Sequence, residues 1–163
     1  MRSEPSQNSS LMFRDGVLVR EPSVLDLPRP LVFTNGVFDI LHRGHTEYLA
    51  AAGKLGASLL VAINSDVSVR GLAKGAERPI NSEYDRCLIV SSLRCVSAVV
   101  IFDEQTPIRV IKSVKPDIYV KGGDYDIELL PETAIVRSWG GLASTIPFRS
   151  GYSTTALIKK ISG

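Results

Sequence analysis

The sequence is short of the residues that usually announce a secreted, metal-holding or membrane-spanning protein. Cysteine occurs twice in 163 residues, at Cys87 and Cys95. That spacing is neither a metal-ligand pattern nor a disulfide framework, so reduced, buried thiols are expected. Histidine also occurs only twice, at His42 and His45, and no HExxH run is present. A zinc hydrolase built on that pair would lack its third and fourth ligands. No apolar run approaches the ~18 residues of a membrane span. The opening MRSEPSQNSS lacks the apolar stretch of a signal peptide, so a cytoplasmic location without a membrane partner is expected. Charge of one sign is missing as well. The 19 basic and 17 acidic residues leave +2, and the basic residues are scattered, which speaks against polymeric nucleic acid as a partner.

What is present is a chain long enough for one domain, burying roughly 68 to 70% of the surface exposed by its unfolded form. Residues 1–10 read as a polar tail. Residues 11–30, apolar but broken by Pro22, Pro28 and Pro30, read as an ordered arm for a sheet edge or a partner subunit. The main domain is expected over 31–163.

That domain is organised around residues 31–49, LVFTNGVFDILHRGHTEYL. Leu31, Val32 and Phe33 have the unbroken apolar character of a strand buried on both faces. Asn35-Gly36 ends it. Residues 44–53 carry Tyr48, Leu49 and Ala52 at helical spacing, with Thr46 and Glu47 in the first turn. A strand, a glycine turn and a helix leave unpaired N–H groups at the sheet's carboxyl end, where the helix dipole favours an anion by roughly 0.3 to 1 kcal/mol. His42 and His45, at i and i+3, project from one face of that helix start. Either one caps a turn while the other packs in the core, or both donate to a bound phosphate.

Further along, 58–64 and 98–102 read as buried strands, and a strand over 117–120 runs into Lys121-Gly122-Gly123-Asp124-Tyr125. The two glycines of that turn would let a flat ligand approach the backbone closely. Residues 65–79 read as a charged, glycine-rich loop, from which Lys74 and Arg78 could reach a polyphosphate. Asn81-Ser82 caps a helix through about Leu93, with Tyr84, Leu88 and Ser91-Ser92 spaced as an amphipathic face and Arg86 open to a place in the crevice. Helices are expected from Pro107 to Val114 and from Pro131 to Trp139. A weak edge strand follows over 142–148, and a last helix has Ser153-Thr154-Thr155 at its start. The order βαβαβαβαβα implies right-handed parallel crossovers, with a ligand crevice at the strands' carboxyl ends.

The run from Gly36 to His45 resembles the signature of the HxGH nucleotidylyltransferase superfamily. Taken with KGGDY and STT, it is most similar to the D-glycero-β-D-manno-heptose 1-phosphate adenylyltransferases. This resemblance implies a Rossmann-like, doubly wound α/β fold with a five-stranded parallel sheet in three α/β/α layers. It implies an enzyme that joins AMP from ATP, used as its Mg²⁺ complex, to a sugar 1-phosphate. His42, His45 and Lys74 would be catalytic. Thr34, Asn35, Gly36, Phe38, Gly44, Lys121, Gly122, Asp124, Ser153, Thr154 and Thr155 would bind nucleotide. Asp39 and Arg78 would face the acceptor, Asp39 having a turn-forming role as its other reading. A homodimer, served by a separate heptose kinase and phosphatase, is the expected setting. The nearest rival is a glycerol-3-phosphate cytidylyltransferase, whose RTEGISTT run corresponds here to PFRSGYSTT, with Arg149 displaced by one position. A nucleotide-binding regulator without turnover is the other.

Overall fold

A computed structural model of the chain describes residues 11–14, 17–20, 26–72 and 75–163. The expected tail over 1–10 and the proposed loop cation Lys74 lie outside the described residues.

Among the described residues seven strands form one sheet in the order β2-β1-β5-β4-β3-β6-β7. The parallel part comprises β3 (Leu31–Gly36), β4 (Ser58–Asn64), β5 (Ala98–Phe102), β6 (Ile118–Gly122) and β7 (Leu142–Ile146). These are the five strands expected from the apolar runs, and every residue of β4 and β5 is buried. The other two strands correct the expectation of a five-stranded sheet. β1 (Leu11–Arg14) and β2 (Val17–Arg20) form an antiparallel hairpin, and β1 pairs with β5 through Met12↔Val100 and Phe13↔Val99. Short strands of four residues carry too little periodicity to be read ahead of their sheet partner.

The buried strands alternate between two apolar clusters. Leu31, Phe33, Leu60, Ala62, Val100 and Phe102 turn toward Val110, Ile111 and Val114 of α4 (Ile108–Val114) and Val136 of α5 (Pro131–Arg137). Val32, Leu59, Val61, Ile63, Val99 and Ile101 turn toward Tyr48, Leu49 and Ala52 of α1 (Arg43–Gly53) and Cys87 and Val90 of α3 (Glu83–Ser91). The result is three layers with helices on both faces. Each large aliphatic side chain buried this way contributes roughly 1.5 to 3 kcal/mol, which is why the central strands tolerate no polar alternation. Cys87 belongs to this core, and burial pushes its thiol up to about 12.

Two helical readings need correction. The stretch read as a loop over 65–79 contains α2 (Asp66–Gly71), capped by Ser65, whose side chain accepts from the Ser68 N–H. The packed face of α3 is Arg86, Cys87, Val90 and Ser91, whereas Tyr84 and Leu88 are each about half exposed. A fully buried arginine on that face inverted the apparent polarity of the helix.

The sheet opens where the site forms. β3 and β6 pair only at Val32↔Ile118 and Phe33↔Tyr119, and the strand order changes direction there. Beyond that pair the Tyr48 hydroxyl spans the gap. It accepts from Thr34 Oγ1 at 2.5 Å and donates to the Val120 carbonyl at 3.3 Å. Doubly wound sheets take ligands at such a switch point, outside the carboxyl ends of the strands.

Candidate active site

At that switch point lies a cleft of about 500 Å³. One wall is the turn between β3 and α1. Phe38 adopts a left-handed backbone, with φ 48°, a conformation that an aromatic residue keeps only when its surroundings hold it. Two buried polar contacts do so. Arg86, fully buried, donates to the Val37 carbonyl at 2.8 Å, to the Asn81 carbonyl at 3.0 Å and to Asp66 Oδ1 at 2.8 Å. Asp39, 2% exposed, accepts from the N–H groups of Ile80 and Asn81 and from Arg78 Nε at 2.6 Å. Burial pushes the Asp39 carboxyl up, but those two N–H bonds and the Arg78 guanidinium outweigh it and hold the group below its ordinary value. Both oxygens are thus engaged in tying residues 78–81 to the turn, the structural one of the two roles foreseen for Asp39. Arg86 belongs to this same scaffold and does not line the cleft.

His42 is the N-cap of α1, its Nδ1 accepting the His45 N–H at 3.4 Å. The neutral ring therefore carries its proton on Nε2, leaving that N–H to donate elsewhere. Burial lowers the His42 pKa, which favours the neutral form. The two imidazoles stack with centroids 3.8 Å apart at 20°, and Phe38 meets His45 edge-on at 5.2 Å. His42 thus caps its helix as the first of the two alternatives has it, but His45 lines the cleft beside it.

A second wall is the start of α6 (Thr154–Ser162), capped by Ser153 Oγ accepting from the Ala156 N–H at 3.0 Å. Ser153, Thr154 and Thr155 line the same cleft as the histidines. Thr154 Oγ1 donates to the Ile40 carbonyl at 3.3 Å, linking the two walls directly. First-turn N–H groups of a helix and neutral imidazole N–H groups are both donors to an anion, and here they border one space.

Asn35, Gly36, Phe38, Asp39, Arg78, Lys121 and Gly122 complete the expected part of the lining. Three expected nucleotide contacts stand elsewhere. Thr34 is fully buried behind the cleft with its hydroxyl given to Tyr48. Gly44 lies inside α1, where a Cβ would stand 3.0 Å from the His42 ring and 3.1 Å from Tyr152 Cβ, so its role is close packing. Asp124 is exposed and outside the lining. Sequence reasoning missed the aromatic side chains Tyr48, Phe148 and Tyr152 and left Tyr125 unassigned. Tyr48 was the most accessible of these, standing three residues beyond His45 on the same helix face. Phe148 also changes the meaning of the glycine turn. A Cβ on Gly122 would lie 2.6 Å from the Phe148 ring, so the space above that backbone is filled by the protein's own aromatic group. Lys121 Nζ lies 5.4 Å over the Tyr125 ring, a cation–π contact at the cleft edge.

A family model described as cytidylyltransferase-like matches residues 33–160, the part of the chain that holds both walls. The D-beta-D-heptose 1-phosphate adenylyltransferase of Bordetella bronchiseptica is 55% identical over 158 residues, covering 94% of this chain and 98% of that protein. The bifunctional protein HldE of Geotalea uraniireducens is 51% identical over 131 residues, or 80% of this chain, which spans only 26% of that longer protein. A crystal structure of the lipopolysaccharide core biosynthesis protein from Thermoplasma volcanium is similar with a TM-score of 0.61 and 31% identity, covering 76% of this chain and 98% of that one. With motif, sheet order and cleft in agreement with these likenesses, the chain belongs to the cytidylyltransferase-like family of nucleotidyltransferases.

Proposed function

We propose that this enzyme transfers AMP from ATP to D-glycero-β-D-manno-heptose 1-phosphate, giving ADP-heptose and pyrophosphate for the inner core of lipopolysaccharide. The observation that carries the reading is the pairing, in one cleft, of the stacked histidines with the hydroxyl-bearing start of α6, in a chain that is 55% identical to a heptose 1-phosphate adenylyltransferase along nearly its whole length.

In this reaction a phosphate oxygen of the sugar 1-phosphate attacks the α-phosphorus of ATP. A new P–O bond forms, the bond to the bridging oxygen between α- and β-phosphorus breaks, and its electron pair leaves with pyrophosphate. The nucleophile is already an anion at neutral pH, so no general base and no covalent enzyme intermediate are needed. Catalysis then rests on placing two mutually repelling phosphates in line and stabilising charge on the equatorial and leaving oxygens. His42 and His45 donate to the triphosphate from the α1 wall. Ser153, Thr154, Thr155 and the free N–H groups of α6 hold its distal phosphates. Lys74 adds a positive charge, and Arg78, fixed by Asp39, borders the acceptor side.

Mg²⁺ enters as part of the substrate, MgATP. Among the described residues no group of three His, Cys, Asp or Glu side chains is arranged to hold a metal, and the Asp39 carboxylate is already engaged. Such residues fit an ion carried by phosphate oxygens and water, the usual habit of Mg²⁺. We place the enzyme in the cytoplasm as a homodimer, supplied by a separate kinase and phosphatase. Among the described residues no helix is long and apolar enough to cross a membrane.

The deciding experiment is a pyrophosphate-release panel of the four nucleoside triphosphates against heptose 1-phosphate and glycerol 3-phosphate. Release is expected with ATP and heptose 1-phosphate together, with ADP-heptose as co-product. Release confined to CTP and glycerol 3-phosphate would replace this reading with the cytidylyl one. Nucleotide binding without release in any combination would favour a regulator.

A further inference from the structure

The α6 wall of the cleft is weakly attached to the rest of the molecule. No residue of α6 is buried, β7 is an edge strand, and the segment between them leaves Phe148 52% and Tyr152 40% exposed. Apolar burial therefore does little to hold Ser153, Thr154 and Thr155 beside the histidines. Polar contacts with α1 do more.

Arg149, within that segment, reaches Glu47 on α1 with Nη1 2.8 Å from Oε1 and 2.9 Å from Oε2. Glu47 Oε1 also accepts from Arg43 Nε at 2.7 Å, one turn earlier on the same helix. Glu47, and after it the Tyr152 hydroxyl, push the Arg43 pKa up. Arg149 and then Arg43 in turn hold the Glu47 carboxyl below its ordinary value. Tyr152 stacks on His42 with centroids 6.4 Å apart. Residues 149–152 and the first turn of α1 thus close a ring of contacts: Arg149 to Glu47, Glu47 to Arg43, Arg43 to Tyr152. None of Arg149, Glu47 and Arg43 lines the cleft.

We propose that Arg149 and Glu47 form a latch, a positioning pair that holds the start of α6 at the cleft beside the histidines and so sets nucleotide affinity without touching the reacting groups. The identity of the nucleotide rests on the function proposed above, but the geometry of the latch does not. This reading also explains the displaced arginine of the PFRSGYSTT run. Moved by one position, it pairs with Glu47 of the neighbouring helix. An exposed ion pair is weak and screened by salt, which suits a contact that must open for product to leave.

The test is a double-mutant cycle on the full chain with Glu47→Gln, Arg149→Gln and the two combined, together with Arg149→Lys. MgATP affinity is measured by titration without acceptor, and KM and kcat by pyrophosphate release. Each single Gln variant is expected to weaken ATP binding and raise KM by roughly threefold, with kcat unchanged. The combined variant should be no worse than either single one, and Arg149→Lys should retain most of the affinity. A loss of kcat by about 10²-fold in Arg149→Gln with Glu47→Gln silent would place the guanidinium on the triphosphate and overturn the latch. Equal ATP affinity in all variants, or strictly additive losses, would also overturn it. The titration separates the two proposals: a wild-type protein that binds ATP, shows the expected coupling and releases no pyrophosphate with heptose 1-phosphate would keep the latch and refute the acceptor.

Discussion

The two walls of the cleft are built in opposite ways. The histidine wall is anchored from behind by a fully buried arginine, a carboxylate that is 2% exposed and an aromatic residue held with φ 48°, and its helix packs Tyr48, Leu49 and Ala52 into the core. The α6 wall has no buried residue in its helix and is held by one threonine hydroxyl, a stacked tyrosine and an exposed ion pair. The histidines proposed to donate to the triphosphate stand on the rigid wall, where preorganisation is worth most. Those proposed to hold the distal phosphates stand on the wall that can yield, where pyrophosphate must depart.

That contrast can be broken or sharpened by substitution, beginning with the rigid wall. His45→Ala is expected to lower turnover by about 10²- to 10³-fold with the fold intact, judged by pyrophosphate release beside a circular-dichroism melt. A normal rate would remove His45 from the chemistry. Arg86→Ala leaves the Asp66 carboxylate without its guanidinium and frees the Val37 and Asn81 carbonyls. It should cost about 3 to 5 kcal/mol in urea unfolding, and a change near zero would show that the turn stands without it.

A smaller effect concerns Asp39, whose folded pKa is depressed. Its contribution to stability is complete above the unfolded value near 3.8 and is lost as pH falls through the lower folded value. Asp39→Asn should therefore be less stable at neutral pH and lose less stability than wild type below pH 3.8, as read from urea midpoints across an acid series. The smallest effect is expected on the yielding wall. Ile161→Ser, at a side chain 78% exposed, should change stability by less than about 0.5 kcal/mol. A larger loss, with a shift in elution volume, would reveal that a second copy covers α6.

The legible parts of the molecule were those governed by local rules. β4 and β5 stand over the residues their apolar runs marked, and Ser82 and Ser153 cap their helices as short hydroxyl residues before apolar spacing should. The misreadings around the cleft share one cause, contacts between residues distant in the chain. Arg86 looked free to reach into the crevice, but its guanidinium is taken by Val37, Asp66 and Asn81, and its burial turns the packed face of α3 with it. Thr34 was expected to bind nucleotide, but its hydroxyl is taken by Tyr48. The glycine turn at Gly122 promised a place for a flat ligand and instead receives Phe148 from a segment 26 positions further on.

By itself, then, the amino-acid order determined which segments are buried strands, where the helices other than α2 begin, and that two imidazoles and a hydroxyl-rich helix start are available for an anion. Hydrophobic period and capping chemistry act within a few residues, so a linear reading captures them. Only the tertiary structure decided that those donors share one cleft, that Asp39 and Arg86 are consumed in holding its rear wall, and that Arg149 serves Glu47. Each of those outcomes depends on which buried or half-buried polar groups find partners, and the partners become neighbours only when the sheet is assembled.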